Sequence, residues 1–448
     1  MTEPVSAPLL SVEEARRGVL AAIDGPVEAE AIATADALGR VVAEPVVAAI
    51  SLPPWDNSAM DGYAIRATDT ADASEDAPAR LHVVGDIPAG SVAATAVEAG
   101  AAMRIATGAP VPHGADAVVP VEMTTPLDAR GTPGPRGRDA TGPLPDACLV
   151  HAAVEPGMSI RRTGSDLRSG AVLLEAGVRL TPASIALVAG AGVPEILVHR
   201  RPRVAVLATG DEVRAPGAPL GPAGIPDANG PGIRALLAAA GCEPIDAGIA
   251  RDDLDDVLGR LRGALADGAD AIIVSGGVSV GPFDVVKTAI EGIGRIDLWR
   301  VAVQPGKPFA FGTAARPGGG AEVLLFGLPG NPVSSFVTFE LFVRPALRRL
   351  AGRRDLLRPA DRAVLLEPVS KSHGRRAFIR VISERDDAGG IVRDESGRVR
   401  VRLAGGQGGQ GSHVISALAA ADGLAIIPEA HDTLDAGATV ALWWLDLT

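Results

Sequence analysis

The sequence predicts a multi-domain protein in which a central α/β domain is flanked by β-rich parts. At 448 residues the chain exceeds what one hydrophobic core usually supports. From Arg203 onwards, apolar runs of strand length alternate with helical patterns, which is typical of a doubly wound, mostly parallel sheet. After Arg353 only short strand-like runs separated by turns follow, and they indicate a small β barrel or sandwich.

Composition narrows the range of partners. The formal charge of −12 leaves no basic surplus to neutralise phosphates, which argues against nonspecific binding to nucleic acid or to an acidic membrane. The chain has no uninterrupted apolar run of 18 residues and no basic, then apolar, N-terminal signal. Its two cysteines, Cys148 and Cys242, lie far apart and beside no His or Cys cluster. We therefore expect a cytoplasmic protein without a membrane segment, a zinc site or a disulfide framework.

The N-terminal half mixes helical and strand patterns. Ser11 and Glu14 form a capping box that predicts the start of an amphipathic helix. Helical spacing over residues 35–47 predicts another helix, which Pro45 would end. Residues 80–123 contain strand-like runs separated by Gly/Pro turns, and they predict a small separate β domain.

A glycine-rich loop follows the most apolar predicted strand of the α/β part, residues 271–274. The loop's glycine and hydroxyl residues are Ser275, Gly276, Gly277, Ser279 and Gly281. A helical pattern follows, with Asp284 in its first turn, so the loop suits phosphate or another oxyanion. A tight βα turn would look much the same. Neither G-x-G-x-x-G nor G-K-[ST] is present in this loop, which excludes the two common nucleotide motifs here.

Three acidic loops follow successive predicted strands, at residues 209–212, 251–253 and 275–284. Parallel strands place their carboxyl ends on one edge of the sheet, where open α/β sheets bind ligands. A single Asp at such a position is often only a helix cap. Three acidic loops on one edge favour a ligand site.

Seven motifs, met in order along nearly the whole chain, resemble those of the molybdopterin molybdenumtransferases, the MoeA and gephyrin E-domain family. The motifs are DNSAMDGYA (56–64), RIATGAPVPHGADAVVPVE (104–122), RRTGSD (161–166), TGDE (209–212), SGGVSVGPFD (275–284), PGKP (305–308) and LPGNPVSS (328–335). Each motif alone is only moderately specific. Their shared order makes an accidental resemblance very improbable.

The resemblance implies a four-part, elongated subunit that forms a homodimer with its site between subunits. The implied domains are an elongated linker and dimerisation domain (8–51 and 149–200), a small β domain inserted in it (52–148), a central α/β molybdopterin-binding domain (201–352) and a C-terminal β-barrel domain (353–448). It also implies transient contacts with the molybdopterin adenylyltransferase and with acceptor molybdoenzymes.

The implied reaction inserts molybdate into adenylylated molybdopterin with Mg²⁺, and it releases AMP and molybdenum cofactor. The acids at the family's catalytic positions are Asp61, Asp166, Glu212, Asp252 and Asp284. Glu212 and Asp284 are the implied Mg²⁺ ligands, since carboxylate oxygens are the protein ligands that this ion prefers. The implied substrate-binding residues are Thr107, Ser275, Gly276, Gly277, Ser279, Gly281, Lys307, Pro329, Gly330, Asn331, Pro332 and Ser334.

One departure from the family pattern concerns charge. Gln304 stands where many relatives have a second lysine, so one positive charge is missing beside Lys307.

Two other functions stay open. Residues 203–350 also resemble the single-domain molybdopterin adenylyltransferases, and gephyrin offers a precedent for a scaffold that binds cofactor without turnover. Retention of all the acids favours the transferase.

Overall fold

The computed structural model of the chain describes residues 9–137, 142–277 and 285–445. Within these ranges a six-stranded sheet forms in each of the N-terminal, central and C-terminal parts of the chain. No helix in the same ranges is long and apolar enough to cross a membrane.

A capped helix and three short strands come first. Helix α1 (Val12–Ala21) begins at Ser11, whose hydroxyl accepts the Glu14 N–H while the Glu14 carboxylate accepts the Ser11 N–H at 2.8 Å. The predicted capping box is confirmed. The strands are β1 (Ala29–Ala33), β2 (Val41–Val42) and β3 (Val46–Val47). The helix predicted over residues 35–47 is wrong, because β2 and β3 pair with strands more than 120 residues later in the chain.

The small β domain follows. The strands of this segment are β4 (Asn57–Ser58), β5 (Gly62–Ile65), β6 (Ala79–Ile87), β7 (Ala101–Ile105), β8 (Ala117–Pro120), β9 (Thr124–Leu127) and β10 (Ala147–Val150). Six of them form one sheet in the order β8-β5-β7-β6-β10-β9. Tyr63 and Ile65 on β5 are buried against Leu81 on β6.

The chain then returns to the strands that precede the small β domain. The returning elements are β11 (Ile160–Arg161), β12 (Val172–Leu174), α2 (Pro182–Gly190) and β13 (Glu195–His199). β13 lies between β1 and β2, and β12 pairs with β3. The small β domain is therefore an insertion between segments that pair with each other.

The central α/β part begins at Arg203. Its elements are β14 (Arg203–Thr209), β15 (Val213–Arg214), β16 (Ile225–Pro226), α3 (Asn229–Ala239), β17 (Glu243–Ala250), α4 (Leu254–Ala266), β18 (Ala271–Ser275), α5 (Val285–Glu291), β19 (Gly294–Arg300), β20 (Val303–Gln304), β21 (Pro308–Ala314) and β22 (Val323–Leu328). The sheet order is β17-β14-β18-β22-β21-β19. The three pairings among the first four strands are parallel and the last two pairings are antiparallel, which confirms a mostly parallel sheet.

Helices cover both faces of this sheet. A continuous helical segment follows β22 and consists of α6 (Pro332–Thr338), a π-helical turn (Phe339–Val343) and α7 (Arg344–Leu350). This segment packs with α3 and α1 on one face, while α4 and α5 pack on the other. Alternate residues of the central strands point to the two cores, as the unbroken apolar runs predict.

The C-terminal part is a closed barrel. Its elements are β23 (Ala360–Leu365), β24 (Val369–Ser370), β25 (Arg376–Ser383), β26 (Val399–Leu403), α8 (Ile415–Ala419), β27 (Gly423–Ile427), β28 (Thr433–Leu434) and β29 (Thr439–Trp444). β25 pairs with both β26 and β27, and this pairing closes the ring β25-β26-β23-β29-β27. The prediction of a barrel is confirmed.

A buried carboxylate connects the α/β part to the barrel. The Glu340 side chain has no exposed surface, and both Arg344 and Arg358 donate to it at 2.7 Å. Arg358 also donates to the Trp444 carbonyl at 2.9 Å. Burial opposes ionisation of Glu340, but the hydrogen bonds from Arg358 and Arg344 outweigh it and lower the pKa of the carboxyl.

We predict that Glu340→Gln lowers the free energy of unfolding by about 3–5 kcal/mol at neutral pH, because it leaves two buried guanidinium groups without a carboxylate. Since the folded-state pKa of Glu340 is lowered, this difference shrinks as the pH falls below 4.5, the usual glutamate value. Urea unfolding at several pH values measures both effects. The matched control is Glu291→Gln, whose exposed carboxylate lies 3.6 Å from Lys287 and should matter by less than about 1 kcal/mol. Equal effects of the two variants would contradict the prediction.

Candidate functional site

The carboxyl ends of the parallel strands meet on one edge, as the sequence predicts. Ser275 at the end of β18 lies between Ala208 of β14 and Leu328 of β22 in the strand register. Beyond it, the Gly276 N–H donates to the Leu328 carbonyl at 3.2 Å. Next to β14, the Gly210 N–H donates to the carbonyl of Ala250 on β17 at 3.3 Å. The loops after β14, β18 and β22 are therefore neighbours.

Close backbone packing explains the glycines on this edge. Gly276 has φ +99°, and an added Cβ would lie 2.7 Å from the Thr209 carbonyl oxygen and 2.9 Å from Thr209 Oγ1. Gly277 has φ +63°, and a Cβ there would collide with Val286 of α5. At Gly330, the nearest atom to an added Cβ is the Cα of Gly276, at 3.9 Å. Only glycine fits at the first two positions.

Two hydroxyl groups are buried at this edge without hydrogen-bond partners. Thr209 is 4% exposed and Ser275 is 3% exposed. Thr209 Oγ1 and Ser275 Oγ find no partner anywhere in the described residues. An unsatisfied buried hydroxyl costs about 1–3 kcal/mol, so a bound ligand that accepts hydrogen bonds from this pair would be favoured. Thr209 belongs to the TGDE motif, but the sequence predicts Glu212 rather than Thr209 as the functional residue there.

The turn before α6 is held in place from three sides. The Asn229 amide donates to the Gly330 carbonyl at 2.7 Å, and the Ser335 hydroxyl donates to the Pro329 carbonyl. The Val333 N–H, one of the first of α6, donates to the Ser412 carbonyl at 3.2 Å. Ser412 lies in the glycine loop of the barrel, residues 405–413. This N–H is already used by the protein. Of the predicted residues here, Ser334 is buried, Gly330 and Asn331 are exposed, and Pro332 begins the helix.

Lys307 lies in a locally positive region. It is half-buried, and the pKa of its ammonium is lowered by burial and by the neighbouring Arg300 and Arg375. Arg375 comes from the barrel domain and was not predicted. Gln304, in the position of the missing lysine, accepts the Ser372 N–H at 2.9 Å. A positive region of this kind suits an oxyanion.

The acids of the α/β part lie on exposed loops. The Glu212 carboxylate folds back over Gly210, with its oxygens 2.7–2.8 Å from the position of an added Cβ. Asp252 is exposed, and its N–H donates to Asp211 Oδ1 at 3.3 Å, which brings the loops after β14 and β17 together. Among the described residues no group of three or more His, Cys, Asp or Glu forms a ready metal site. Asp284, Ser279 and Gly281 lie outside the described residues.

The remaining predicted acids belong to the N-terminal part. Asp61 accepts the N–H and the hydroxyl of Thr107 at 2.7 and 2.8 Å, and these bonds, the N–H first, lower the pKa of the Asp61 carboxyl. Asp166 is exposed in the turn whose Arg162 pairs with Asp56 at 2.7 Å. Within the described parts of one chain, no hydrogen bond or ion pair joins Asp61 or Asp166 to the strand edge of the α/β part. The structure pairs Asp61 with Thr107 but leaves both apart from that edge.

A parallel sheet that ends in close-packed glycines and unpartnered hydroxyls, with cations around Lys307, is typical of proteins that bind phosphorylated or oxyanionic ligands. Comparison with known families agrees with this class. Three family models match in succession: the MoeA N-terminal region, domains I and II, at residues 10–192; a probable molybdopterin-binding domain at 205–349; and the MoeA C-terminal region, domain IV, at 362–445. The chain belongs to the MoeA family of molybdopterin molybdenumtransferases.

Individual relatives match along most of their length. The chain is 38% identical to molybdopterin molybdenumtransferase 2 of Mycobacterium tuberculosis over 92% of this chain and 93% of that protein. It is 34% identical to the molybdopterin molybdenumtransferase of Haemophilus influenzae over 97% and 98%. The crystal structure of the molybdopterin biosynthesis moeA protein of Pyrococcus horikoshii OT3 superposes with a TM-score of 0.77 at 28% identity, covering 98% of this chain and 100% of that one.

We predict that Gly276→Ala lowers the free energy of unfolding by at least about 2 kcal/mol, because alanine at this φ is strained and its Cβ meets the Thr209 carbonyl. The control is Gly263→Ala in α4, where an added Cβ meets nothing within 4 Å and helix propensity should raise stability by up to about 1 kcal/mol. Urea unfolding measures both. A Gly276→Ala protein as stable as the parent would show that the two loops are not packed as described.

Proposed function

We propose that the chain inserts molybdenum into adenylylated molybdopterin, consuming molybdate and releasing AMP and molybdenum cofactor. Membership of the molybdopterin molybdenumtransferase family supports the reaction class. The observation that carries the proposal is the pair of unpartnered buried hydroxyls, Thr209 and Ser275, at the glycine-lined strand edge. They would donate to phosphate oxygens of the pterin substrate, and the Gly276 backbone leaves room for that group to approach.

Molybdate would bind beside the positive region around Lys307. It is a tetrahedral dianion, so ammonium and backbone N–H groups suit it as they suit phosphate. The site would lie between Lys307 and the turn at residues 329–334. Because Val333 already donates to Ser412, the barrel's glycine loop would form one boundary of this site.

Glu212 and Asp284 would hold Mg²⁺ between them. Glu212 suits this role, because its two carboxylate oxygens turn back over Gly210 toward the strand edge and do not pair with a described cation. Mg²⁺ commonly takes one or two protein carboxylates and completes its shell with phosphates and waters. When bound, the ion would offset negative charge on the phosphoanhydride as AMP leaves. Asp252 would orient the substrate or water on the same edge.

We further propose that Asp61, Thr107 and Asp166 reach the site from a second copy of the chain. The surface that carries them also exposes large apolar side chains, Ile50, Trp55 and Met60, each more than 40% exposed in the single chain. An apolar surface of this kind is typical of a contact between subunits. The lowered pKa of Asp61 keeps its carboxylate charged for that role. We place this dimer in the cytoplasm, where buried cysteines without disulfides, such as Cys148 and Cys242, are usual.

The test supplies the purified chain with adenylylated molybdopterin, Mg²⁺ and molybdate, and measures AMP release together with reconstitution of an apo-molybdoenzyme. We expect both. Synthesis of adenylylated molybdopterin from ATP and molybdopterin, with no AMP released from the adenylylated form, would favour an adenylyltransferase instead. Binding without turnover would favour a scaffold.

We predict that Thr209→Val reduces AMP release about 10- to 100-fold, because a hydrogen bond to a charged group contributes about 1.5–3 kcal/mol, while thermal stability is unchanged or slightly raised. The matched control is Thr34→Val, whose equally buried hydroxyl donates to the Val193 carbonyl at 2.7 Å far from this edge. It should lose about 1 kcal/mol of stability and keep its activity. Full AMP release by Thr209→Val would remove Thr209 from the site.

We predict that two inactive variants, Asp61→Asn and Glu212→Gln, complement each other when co-expressed. In a mixed dimer one site would receive Asp61 from one subunit and Glu212 from the other, and the second site would carry both changes. Random pairing then restores roughly a quarter of the parent activity. No recovery, with mixed dimers demonstrated by differential tags, would place both acids in the site of a single chain.

A further inference from the structure

A cavity of about 450 Å³ lies between the α3 helix, the helical segment 332–350 and the α8 helix of the barrel domain. One end is near Pro332 and Asn229, beside the strand edge described above. The other end reaches Arg348, which lies 16 residues further along the same helical segment. At about 1.5 Å per residue this is roughly 24 Å from Pro332. The far end is therefore separate from the proposed transferase site.

Five arginines line this cavity, and two carboxylates are paired with them. The arginines are Arg179, Arg344, Arg348, Arg353 and Arg358. Glu340 pairs with two of them and Asp355 with a third, Arg353. Among the described residues, Arg179 and Arg348 form no ion pair with a carboxylate, which leaves an excess of two positive charges in the lining. An excess of that size favours a doubly charged anion such as phosphate over a single carboxylate.

Arg348 is the buried centre of this positive end. The residue is 5% exposed, and its Nη1 donates to the Leu357 and Asp355 carbonyls at 3.0 and 3.2 Å. No carboxylate bonds to it, and its Nε has no hydrogen-bond partner among the described residues. Burial, followed by the nearby Arg353 and Arg344, lowers the pKa of Arg348 to about 10, so it stays charged at neutral pH. The Asp355 carboxylate opposes this shift but is bonded to Arg353, so Arg348 has no described carboxylate of its own and a bound anion would stabilise it.

The other walls of the cavity are apolar. Helix α3 contributes Leu236 and Ala239, and helix α8 contributes Leu418 and Ala419. Cavities of about 300–1,000 Å³ with mainly apolar walls and a few polar groups are the usual form of small-molecule sites. This cavity falls within that range.

We propose that this cavity binds a small phosphate monoester whose aromatic or other apolar body lies between α3 and α8 and whose phosphate is held by Arg348 and Arg179. The planar guanidinium fork matches phosphate oxygens, and the charge excess supplies the complement to a dianion. The proposed phosphate position is separate from the proposed molybdenum transfer, because Arg348 and Arg179 do not belong to the strand edge, and only the near end of the cavity, at Pro332 and Asn229, borders it.

The direct test is calorimetric titration of the full chain with 1-naphthyl phosphate, compared with inorganic phosphate and with uncharged 1-naphthol. We expect one molecule to bind, at least tenfold more tightly than either comparator, because only the ester satisfies both ends of the cavity. Higher salt should weaken binding. Binding of 1-naphthol as tight as that of the ester, or no binding of the ester, would overturn the proposal.

Two matched pairs of variants locate the binding. Ala239→Phe places a ring in the cavity, while Ala238→Phe alters the neighbouring exposed alanine, which does not line it. Arg179→Gln removes an exposed arginine of the cavity, while Arg201→Gln removes an exposed arginine outside it. We expect Ala239→Phe to weaken naphthyl phosphate binding at least tenfold and Arg179→Gln to weaken it about threefold. The two controls should leave it unchanged. Unchanged binding in Ala239→Phe, or equal loss in Ala238→Phe, would overturn the assignment.

AMP release separates this proposal from the transferase proposal. None of the four substituted residues belongs to the transferase site, so all four variants should release AMP at the parent rate. Loss of ester binding with full AMP release would support a separate site. Parallel loss of both in Ala239→Phe would overturn the claim that the two sites are independent.

Discussion

The parallel pairing of β14, β18 and β22 is the constraint on which the functional end of the molecule depends. It sets Ala208, Ser275 and Leu328 side by side, so the loops that leave these strands must share one edge. There the backbones come so close that Gly276 has no room for a Cβ against Thr209. Hydroxyls buried by this packing can reach neither water nor a protein partner in the described chain. The same packing that stabilises the edge therefore prepares it for a ligand.

Buried carboxylates hold other parts of the chain together, and Asp270, which precedes β18, lies at the opposite edge of the sheet. Asp270, just before β18, accepts two hydrogen bonds from Arg200 at 2.6 and 2.8 Å, and one from Arg316 at 2.8 Å. Glu340 does the same between the α/β part and the barrel through Arg344 and Arg358. Each carboxylate is neutralised by two arginines. Such pairs contribute less to net stability than to a single relative arrangement of the elements that they join.

Local sequence patterns predicted the elements whose structure depends on local forces. The capping box at Ser11, the central strands and the glycines of the β18 loop could all be recognised, because periodicity and φ preferences act within a few residues. The error over residues 35–47 has a non-local cause, since Val41 pairs with His199. Likewise, sequence spacing gives no sign that Arg375 lies beside Lys307, or that Thr209 Oγ1 has no partner. Those facts depend on contacts between distant segments.

The barrel adds contacts to the proposed transferase site that the α/β part alone would lack. Its glycine loop presents the Ser412 carbonyl to the Val333 N–H at the start of α6. Behind the loop, Arg380 is fully buried and donates to the Gly409 and Gly411 carbonyls at 2.7 and 3.2 Å. An α/β domain on its own would leave the start of α6 open to water and would lack Arg375. The barrel therefore covers this end of the proposed site. A single-domain protein with the same sheet would lack that cover.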